Sequence, residues 1–255
     1  MSLILTPIIG IPLIRPGDNL AQIIYASLLQ TGIEFMSDDI LVIAQKIVSK
    51  AENRLVNLTT VIPSEKASIV AVQTQKDPRF IELVLRESKA ILRTRPGTII
   101  VEHRCGFVCA NAGIDHSNVQ GLWGNPEDWF LLLPEDPDSS ARRIGLELEN
   151  LIGHRLGILI IDSHGRAWRM GTVGVTIGLW GVPGLVDLRG SPDLFGYHLK
   201  ITQVGAADEL AAAASLVMGQ AAEATPVIHV RGFPYALRES HLAELIRSEE
   251  QDLFR

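Results

Sequence analysis

Two stretches of this 255-residue sequence place acidic side chains directly after apolar runs. VCANAGIDHSNV (108–119) contains Asp115, and IDSHGR (161–166) contains Asp162. Burial of such polar groups costs free energy unless a polar partner meets them, so an ion or a charged ligand is the expected partner. Mg²⁺ and Mn²⁺ are held by one or two protein carboxylates together with hydroxyl, water and substrate phosphate oxygens. We therefore predict that Asp115 and Asp162 share a divalent cation, with the Ser163 hydroxyl as a further ligand.

Cationic side chains accompany both acids. Lys46 and Lys50 lie in AQKIVSK, and Arg166 and Arg169 follow Asp162. Ammonium and guanidinium groups can neutralise phosphate oxygens, so the pattern indicates a site that handles phosphate. The alternatives are structural: an aspartate after a strand often caps a turn, and a lysine is most often solvated.

Several familiar sites find no support in the sequence. The motifs G-x-x-x-x-G-K-[ST], G-x-G-x-x-G, H-E-x-x-H and G-x-S-x-G do not occur. Cys105 and Cys109 are the only cysteines, and on a strand they would face the same side. Because two further ligands at zinc-like spacing are missing, ordinary reduced thiols are the preferred interpretation.

The composition indicates a folded, soluble globular protein. Hydrophobic residues make up 47% and charged residues 20%, and 255 residues suffice for one large α/β domain or two closely joined ones. The net charge of −6 argues against a general nucleic-acid-binding surface. No apolar run approaches the roughly 20 residues that cross a bilayer, and no basic leader with a small-residue cleavage site opens the chain. We therefore expect a cytoplasmic protein that binds neither membrane nor nucleic acid.

Helices and strands alternate around the suspected site. Capping residues and apolar spacing predict one helix after Asp18 that stops at Gly32, one after Ser64, and one after Asp77 and Pro78. They predict three more helices over 136–153, 206–219 and 240–255, of which the first stops at Gly153 and the second at Gly219. In the helix over 136–153, the residues expected to point inward are Ile144, Leu148, Leu151 and Ile152. Strands are predicted over 40–44, 98–102, 107–111, 156–162, 199–204 and 225–232, and the glycine-rich segment 171–190 predicts strand and tight turns. The strand over 156–162 is predicted to end in Asp162, where α/β proteins gather their chemistry.

Seven segments, in order along nearly the whole chain, resemble the coenzyme F420-0:L-glutamate ligase family, also called the F420 γ-glutamyl ligases. They are GIPLIRPGDNL, VSKAE, NAGIDHSNV, LLLPEDPDSSARRI, IDSHGRAWRMGTVGVTIG, DLRGSPDLFGYHL and ADELAAAASLVMGQ. The resemblance implies a mixed α/β (α+β) fold that is not a simple Rossmann sheet, in an intertwined homodimer. Residues 1–255 would form a single ligase unit, or two tightly joined subdomains, without the nitroreductase-like extension of some relatives and hence without a flavin-binding module.

The resemblance also implies an activity. Family members use GTP and Mg²⁺ or Mn²⁺, with K⁺ as a further candidate ion, to attach L-glutamate to the deazaflavin precursor, F420-0 or its dehydro form. Further glutamates can follow through γ-linked amides. A carboxylate is a poor acyl donor to an amine, so its phosphorylation to an acyl phosphate is the expected first step.

The resemblance assigns roles residue by residue. Nucleotide contacts fall on Gly10, Ile11, Pro12, Leu13, Gln45, Lys46, Lys50, Asn118, Met218, Gly219, Gln220, Ala221, Ala222, Glu223, Ala224 and Thr225, and metal ligands on Asp115, Asp162, Ser163 and Gln220. Lys50, Arg166 and Arg169 join the two aspartates as catalytic candidates, the arginines holding phosphate or a substrate carboxylate. Gln220 stands where some relatives have Glu, which keeps an oxygen but loses a charge and weakens a second metal site. Ser163 and His164 replace the Thr and Asn of the family pattern DTNGR.

Two other functions fit the same residues. One is an amide ligase with this nucleotide and metal site that acts on a different carboxylic acid, because no residue pattern specifies a deazaflavin. The other is a nucleotide-binding protein without catalysis, against which the two intact aspartates weigh.

Overall fold

The computed structural model describes residues 2–253, which fold into a mixed α+β arrangement rather than a simple Rossmann sheet. The strands are β1 (Ile4–Pro7), β2 (Asp39–Ala44), β3 (Leu55–Asn57), β4 (Ser88–Arg95), β5 (Thr98–His103), β6 (Val108–Ala110), β7 (Trp129–Leu131), β8 (Leu156–Arg166), β9 (Arg169–Trp180), β10 (Val186–Asp187), β11 (Gln203–Val204) and β12 (Val227–Arg231). The helices are α1 (Leu20–Thr31), α2 (Gln45–Ala51), α3 (Glu65–Thr74), α4 (Pro78–Arg86), α5 (Pro137–Ile152) and α6 (Ala206–Met218). Within the described residues, no helix has both the length and the apolarity needed to cross a bilayer.

A five-stranded sheet forms the centre, in the order β1-β12-β2-β8-β9. Its one parallel pair is β2 with β8, and all the other neighbours run antiparallel. In the parallel register Ala44 lies opposite Ile161. Gln45 and Asp162 therefore follow at the same edge of the sheet, where the predicted chemistry lies.

Both faces of this sheet are covered, which explains the uninterrupted apolar run in β2. Leu41 and Ile43 pack into a cluster with α1 and α5, whereas Ile40 and Val42 pack into a second cluster with α6 on the opposite face. Alternate residues of a strand point to opposite faces, so a strand buried on both sides has no polar positions to spare. The same reason accounts for the apolar run in β8, where Ile158 and Ile160 pack into the first cluster and Leu159 and Ile161 into the second.

The crossover from β2 to β8 carries a third apolar cluster. Helices α3 and α4 pack there against the antiparallel sheet β4-β5-β6, with the short pair β3-β7 beside it. Phe107 contacts both this cluster and the cluster beneath the central sheet. The turn after β6 delivers Asp115, whose backbone pairs with Leu131.

Several predicted boundaries are confirmed. Ser64 and Asp77 accept hydrogen bonds from backbone N–H groups at the starts of α3 and α4, and Pro78 is the first residue of α4. Gly32 and Gly153 end their helices in the left-handed conformation that glycine adopts without strain.

Two expectations about element ends and one about burial were wrong. Asn19, rather than Asp18, caps α1; Asp18 instead accepts from the backbone N–H of Arg15. Strand β8 does not end at Asp162 but continues to Arg166, because β9 pairs with it across the polar half. Leu151, expected to point inward, is 38% exposed.

The carboxyl-terminal segment also differs from prediction. Instead of a helix over 240–255 it contains two short 3₁₀ turns, Leu242–Glu244 and Glu249–Gln251, and residues 254–255 lie outside the described chain. Tertiary hydrogen bonds hold the segment in this form: Ser240 donates to the Val182 carbonyl, and Leu242 N donates to Asp138. The strand predicted over 199–204 shortens to Gln203–Val204.

Candidate functional site

A cavity of about 410 Å³ lies at the edge of the central sheet where β2 gives way to α2 and Asp162 leaves the apolar half of β8. Its walls come from residues 11–14, 44–47, 161–163 and 218–226, together with Lys50, Asn118 and Ser215. Pockets for small molecules commonly have about 300–1,000 Å³, so a nucleotide-sized ligand is compatible with this space.

Most of the predicted nucleotide contacts line this one cavity. They are Ile11, Pro12, Leu13, Gln45, Lys46, Lys50, Asn118, Met218, Gly219, Gln220, Ala221, Ala222, Glu223, Ala224 and Thr225. Gly10 is absent from the lining; it has φ of 79° and lies so close to Gln30 that a Cβ would collide with the amide. A glycine is therefore required at position 10 by the turn that leads into the lining segment.

The start of α2 binds Asp115, which contacts the lining residues Gln45 and Lys46 but does not itself line the cavity. Gln45 Nε2 donates to Asp115 Oδ2 at 2.6 Å, and Lys46 Nζ lies 2.6 Å from the same oxygen. Ser49, one turn later, donates to Gln45 Oε1 at 2.9 Å and thereby fixes which way the amide points. Burial raises the pKa of Asp115, the Lys46 charge opposes this shift, and the negative charge of Asp162 adds to it. The two carboxylates are thus near enough to repel each other.

Asp162 lines the cavity itself. Its Oδ2 lies 3.0 Å from His164 Nε2, and its side chain is 12% exposed. Burial acts to raise the pKa of Asp162. The close contact and charge of His164 and a hydrogen bond from the Ser163 backbone outweigh this effect, so the pKa is lowered. This carboxylate is therefore held in its ionised form.

Polar side chains connect Asp162 to the loop after α6. Ser163 Oγ donates to Gln220 Oε1 at 2.8 Å, and Gln220 Nε2 donates to Ser215 Oγ at 3.3 Å. The two residues predicted as accessory metal ligands are therefore in direct contact. Their oxygens lie on the cavity wall together with Asp162.

Lys50, Asn118 and Ala221 form a second set of hydrogen bonds between lining residues of the cavity. Lys50 Nζ donates to the Asn118 carbonyl at 2.7 Å, and Asn118 Nδ2 donates to the Ala221 carbonyl at 3.0 Å. Burial and the nearby Lys46 charge lower the pKa of Lys50. Two cations thus lie on the cavity wall next to the carboxylates, as a site for a polyanion requires.

Arg166 and Arg169 lie elsewhere. Both are exposed at the far end of the β8–β9 hairpin, and neither lines the cavity. The Arg166 guanidinium donates to the Met170 carbonyl across the hairpin turn, at 3.1 Å. Within one chain the structure does not bring these two arginines to Asp162.

The donor set of the cavity suits some metals and not others. Among residues 2–253 there is no group of three or more His, Cys, Asp or Glu side chains placed to hold an ion. Zinc, which takes three or four such ligands, does not fit. Mg²⁺ or Mn²⁺ does fit, because it needs one or two carboxylates plus phosphate and water oxygens, and the repulsion between Asp115 and Asp162 is the interaction that a cation would relieve.

Known proteins match this chain along its length. The model of the family described as F420-0:Gamma-glutamyl ligase matches residues 8–232. The chain belongs to this family. Proteins named coenzyme F420:L-glutamate ligase are similar to it: that of Methanothermobacter thermautotrophicus is 43% identical, with 100% of both chains covered, and that of Methanopyrus kandleri is 46% identical, with 95% of this chain and 93% of the relative covered. The relative from Methanocaldococcus jannaschii is 40% identical over 96% of this chain and 94% of its own. As a member of the γ-glutamyl ligase family, the chain is a ligase.

Sequence reasoning missed parts of this candidate site. Ser215 lines the cavity and contacts Gln220, but a serine inside an alanine-rich helix gives no signal by type alone. His164 is one of several single histidines and drew no role from its type. Its spacing of two from Asp162 in a strand is the signal that places both on one face.

Proposed function

We propose that this protein attaches L-glutamate to the F420 deazaflavin precursor, F420-0 or its dehydro form, with GTP as phosphoryl donor and Mg²⁺ or Mn²⁺ as the metal. The observation that carries the proposal is that Asp162, Lys46 and Lys50 line one cavity, and that Asp115, from a third part of the chain, is bound to Lys46 at 2.6 Å. Membership of the γ-glutamyl ligase family supports the substrate class.

The cavity walls offer groups that suit each part of a nucleoside triphosphate. Lys46 and Lys50 would neutralise phosphate oxygens, as cations at phosphoryl-transfer sites do. Pro12 and Leu13, the latter 82% exposed, offer apolar surface to a base or ribose, and residues 218–225 form the opposite wall. Asn118 joins the two walls through its contacts with Lys50 and Ala221.

Asp115 and Asp162 would hold the metal, with the oxygens of Ser163 and Gln220 beside them. When bound, the metal would polarise the phosphoryl oxygens and offset their growing charge. Gln45 and Ser49 orient Asp115, so its carboxylate need not reorganise when the metal and the phosphate groups bind.

The proposed reaction has two steps. An oxygen of the precursor carboxylate attacks the γ-phosphorus, which releases GDP and leaves an acyl phosphate. The glutamate amine then attacks the acyl carbon, loses a proton and expels inorganic phosphate as the amide forms. Further rounds on the new γ-carboxylate would lengthen the tail.

One assay tests the proposal against its alternatives. The protein is incubated with GTP, Mg²⁺ or Mn²⁺, L-glutamate and the precursor, and glutamate addition is followed by mass spectrometry. The conjugate together with GDP is expected. GDP release in the presence of another carboxylic acid, without a conjugate of the precursor, would favour an amide ligase with a different substrate. GTP binding with no product of either kind would favour a binding protein and contradict the proposal.

We further propose that the chain works as a homodimer. Large apolar side chains project from two segments near residues 168–170 and 194–201, namely Trp168 (95% exposed), Met170 (96%), Leu194 (97%), Phe195 (94%) and Ile201 (88%). Apolar surface of this extent commonly marks a protein interface. A partner subunit covering the hairpin would also place Arg166 and Arg169 in an interface instead of in solvent.

A further inference from the structure

His164 occupies a confined position on β8, two residues after Asp162. Its side chain is only 9% exposed, and its ring packs against Phe107 with 5.2 Å between centroids. Phe107 in turn stacks in parallel on His103 at 4.9 Å. The imidazole is therefore held between the hairpin and the turn after β5, with little freedom to rotate.

The ring nitrogen Nε2 of His164 has one neighbour that matters. The atom is shielded from solvent, and none of the residues in the described chain gives it a well-aligned hydrogen bond. Asp162 Oδ2 lies 3.0 Å away, within ion-pair distance although off the line of the ring N–H. A buried N–H without an acceptor is costly, so this carboxylate oxygen is the acceptor that the ring requires.

We propose that His164 is a positioning residue for Asp162: its Nε2–H donates to Oδ2 and fixes the rotation of the carboxylate, so that the remaining lone pairs are available to a divalent cation in the cavity. The inference rests on the proposed metal-binding role of Asp162. Partners that orient the ligands of a metal typically change its affinity by about 10–100-fold when they are removed.

Metal affinity measured without turnover tests this role. Mn²⁺ alone is titrated into the protein, and free Mn²⁺ is followed by electron paramagnetic resonance. His164→Phe keeps the ring volume but removes the donor, and it should weaken Mn²⁺ binding by about tenfold or more. His164→Gln returns an N–H at nearly the same reach and should recover most of the affinity.

His103→Phe is the matched control, because His103 stacks on the same Phe107 ring but its Nε2 lies 3.9 Å from the Glu87 carboxylate instead of pairing with Asp162. It should leave Mn²⁺ binding unchanged. Equal losses in His103→Phe and His164→Phe would show a packing effect and overturn the inference, as would unchanged affinity in a folded His164→Phe.

A measurement on the unaltered protein covers the case in which the variants do not fold. Nitrogen-15 NMR of the histidine rings should show the His164 proton on Nε2, and a neutral ring protonated only at Nδ1 would overturn the inference. The proposed metal site fails separately: if Mn²⁺ does not bind the wild type, or binds Asp162→Asn equally well, Asp162 is not a ligand and the role of His164 falls with it.

Discussion

Asp115 and Asp162 experience opposite electrostatic surroundings, although they are close enough for their charges to interact. Burial and the charge of Asp162 raise the pKa of Asp115, whereas the contact with His164 lowers that of Asp162. An acid with a raised pKa is destabilised in its ionised form, and the folded protein loses stability as pH rises through its titration. An acid with a lowered pKa contributes stability above its unfolded pKa. The same conservative substitution should therefore act differently at the two positions.

Asp115→Asn and Asp162→Asn should each reduce glutamate addition by more than about a hundredfold, because a bound metal supplies several kcal/mol of transition-state stabilisation. In the ligand-free protein near neutral pH, Asp162→Asn should lower Tm and Asp115→Asn should lower it less or raise it. Turnover is measured by mass spectrometry and Tm by calorimetry. Wild-type turnover in either folded variant would remove that residue from the metal site.

The site residues that sequence could predict are those whose type and position already restrict their role. Asp115 follows a short strand in an unusually polar segment, and Lys46 is the second residue after a strand buried on both faces, so both were expected near one sheet edge. The prediction for Arg166 and Arg169 depended on their proximity to Asp162 along the chain. In the structure β8 continues for four residues past Asp162, which places the Arg166 backbone about 13 Å away at roughly 3.3 Å per residue, and Arg169 opens β9 beyond the turn.

At the scale of elements, α5 packs closely against β9 of the central sheet. Gly178 faces the first residue of α5, and a Cβ there would lie 2.6 Å from the Pro137 carbonyl oxygen. Gly178→Ala should therefore lower the free energy of unfolding by about 1–3 kcal/mol through overpacking. Gly165→Ala, in β8 of the same hairpin, is the control, because nothing lies within 4 Å of the point that a Cβ would occupy there. Urea denaturation measures both, and equal stabilities would contradict the tight contact.

Asp39 connects elements at the start of β2. It accepts from His229 Nε2 at 2.8 Å and from Arg231 Nη2 at 2.6 Å, both on β12, and from Met36 N at 2.9 Å. Burial alone would raise the pKa of Asp39, but these hydrogen bonds outweigh it and lower the pKa from 3.8 to about 2. Its contribution to stability is then present above pH 3.8 and is lost as pH falls toward 2.

Asp39→Asn should cost about 2 kcal/mol of unfolding free energy near neutral pH, at about 1.36 kcal/mol per pKa unit. The difference from wild type should shrink as pH falls through the range given by these two pKa values. Asp187→Asn is an informative control: the pKa of Asp187 is also lowered to about 2, but its pair with Arg189 lies on the surface, and exposed pairs contribute little. Urea denaturation across pH measures both. A pH-independent difference for Asp39→Asn would contradict the assignment.

Local chemistry made some element boundaries predictable and left others open. Ser64 and Asp77 can be recognised as caps because each precedes an apolar helical pattern with no competing residue beside it. Asp18 and Asn19 are adjacent and both suited to capping, and only the fold selects Asn19. The segment after 240 has a helical pattern, but its backbone and hydroxyl groups bond to Val182 and Asp138, which are distant in sequence.

At the scale of the whole molecule, the sheet order could not be read from sequence. β12, the last strand, inserts between β1 and β2, and the only parallel pair of the central sheet joins strands separated by more than a hundred residues. Strand pairing over such separations depends on how the complete set of apolar faces is covered, which no local pattern records. The presence of both helices and strands was nevertheless predicted from the sequence pattern, and the mixed α+β class from the family resemblance.

The exposed apolar side chains of the hairpin and of residues 194–201 give the prediction that belongs to this scale. If they form a subunit interface, the wild-type protein should elute at twice the chain mass in size-exclusion chromatography with light scattering, and Trp168→Ser combined with Phe195→Ser should shift it to a monomer. Ile62→Ser is the control, because Ile62 is 84% exposed but lies on the crossover unit before α3. It should remain dimeric. A monomeric wild type at tens of micromolar, or a double variant that stays dimeric, would contradict the interface, and glutamate addition by the monomer would show that one chain holds the complete site.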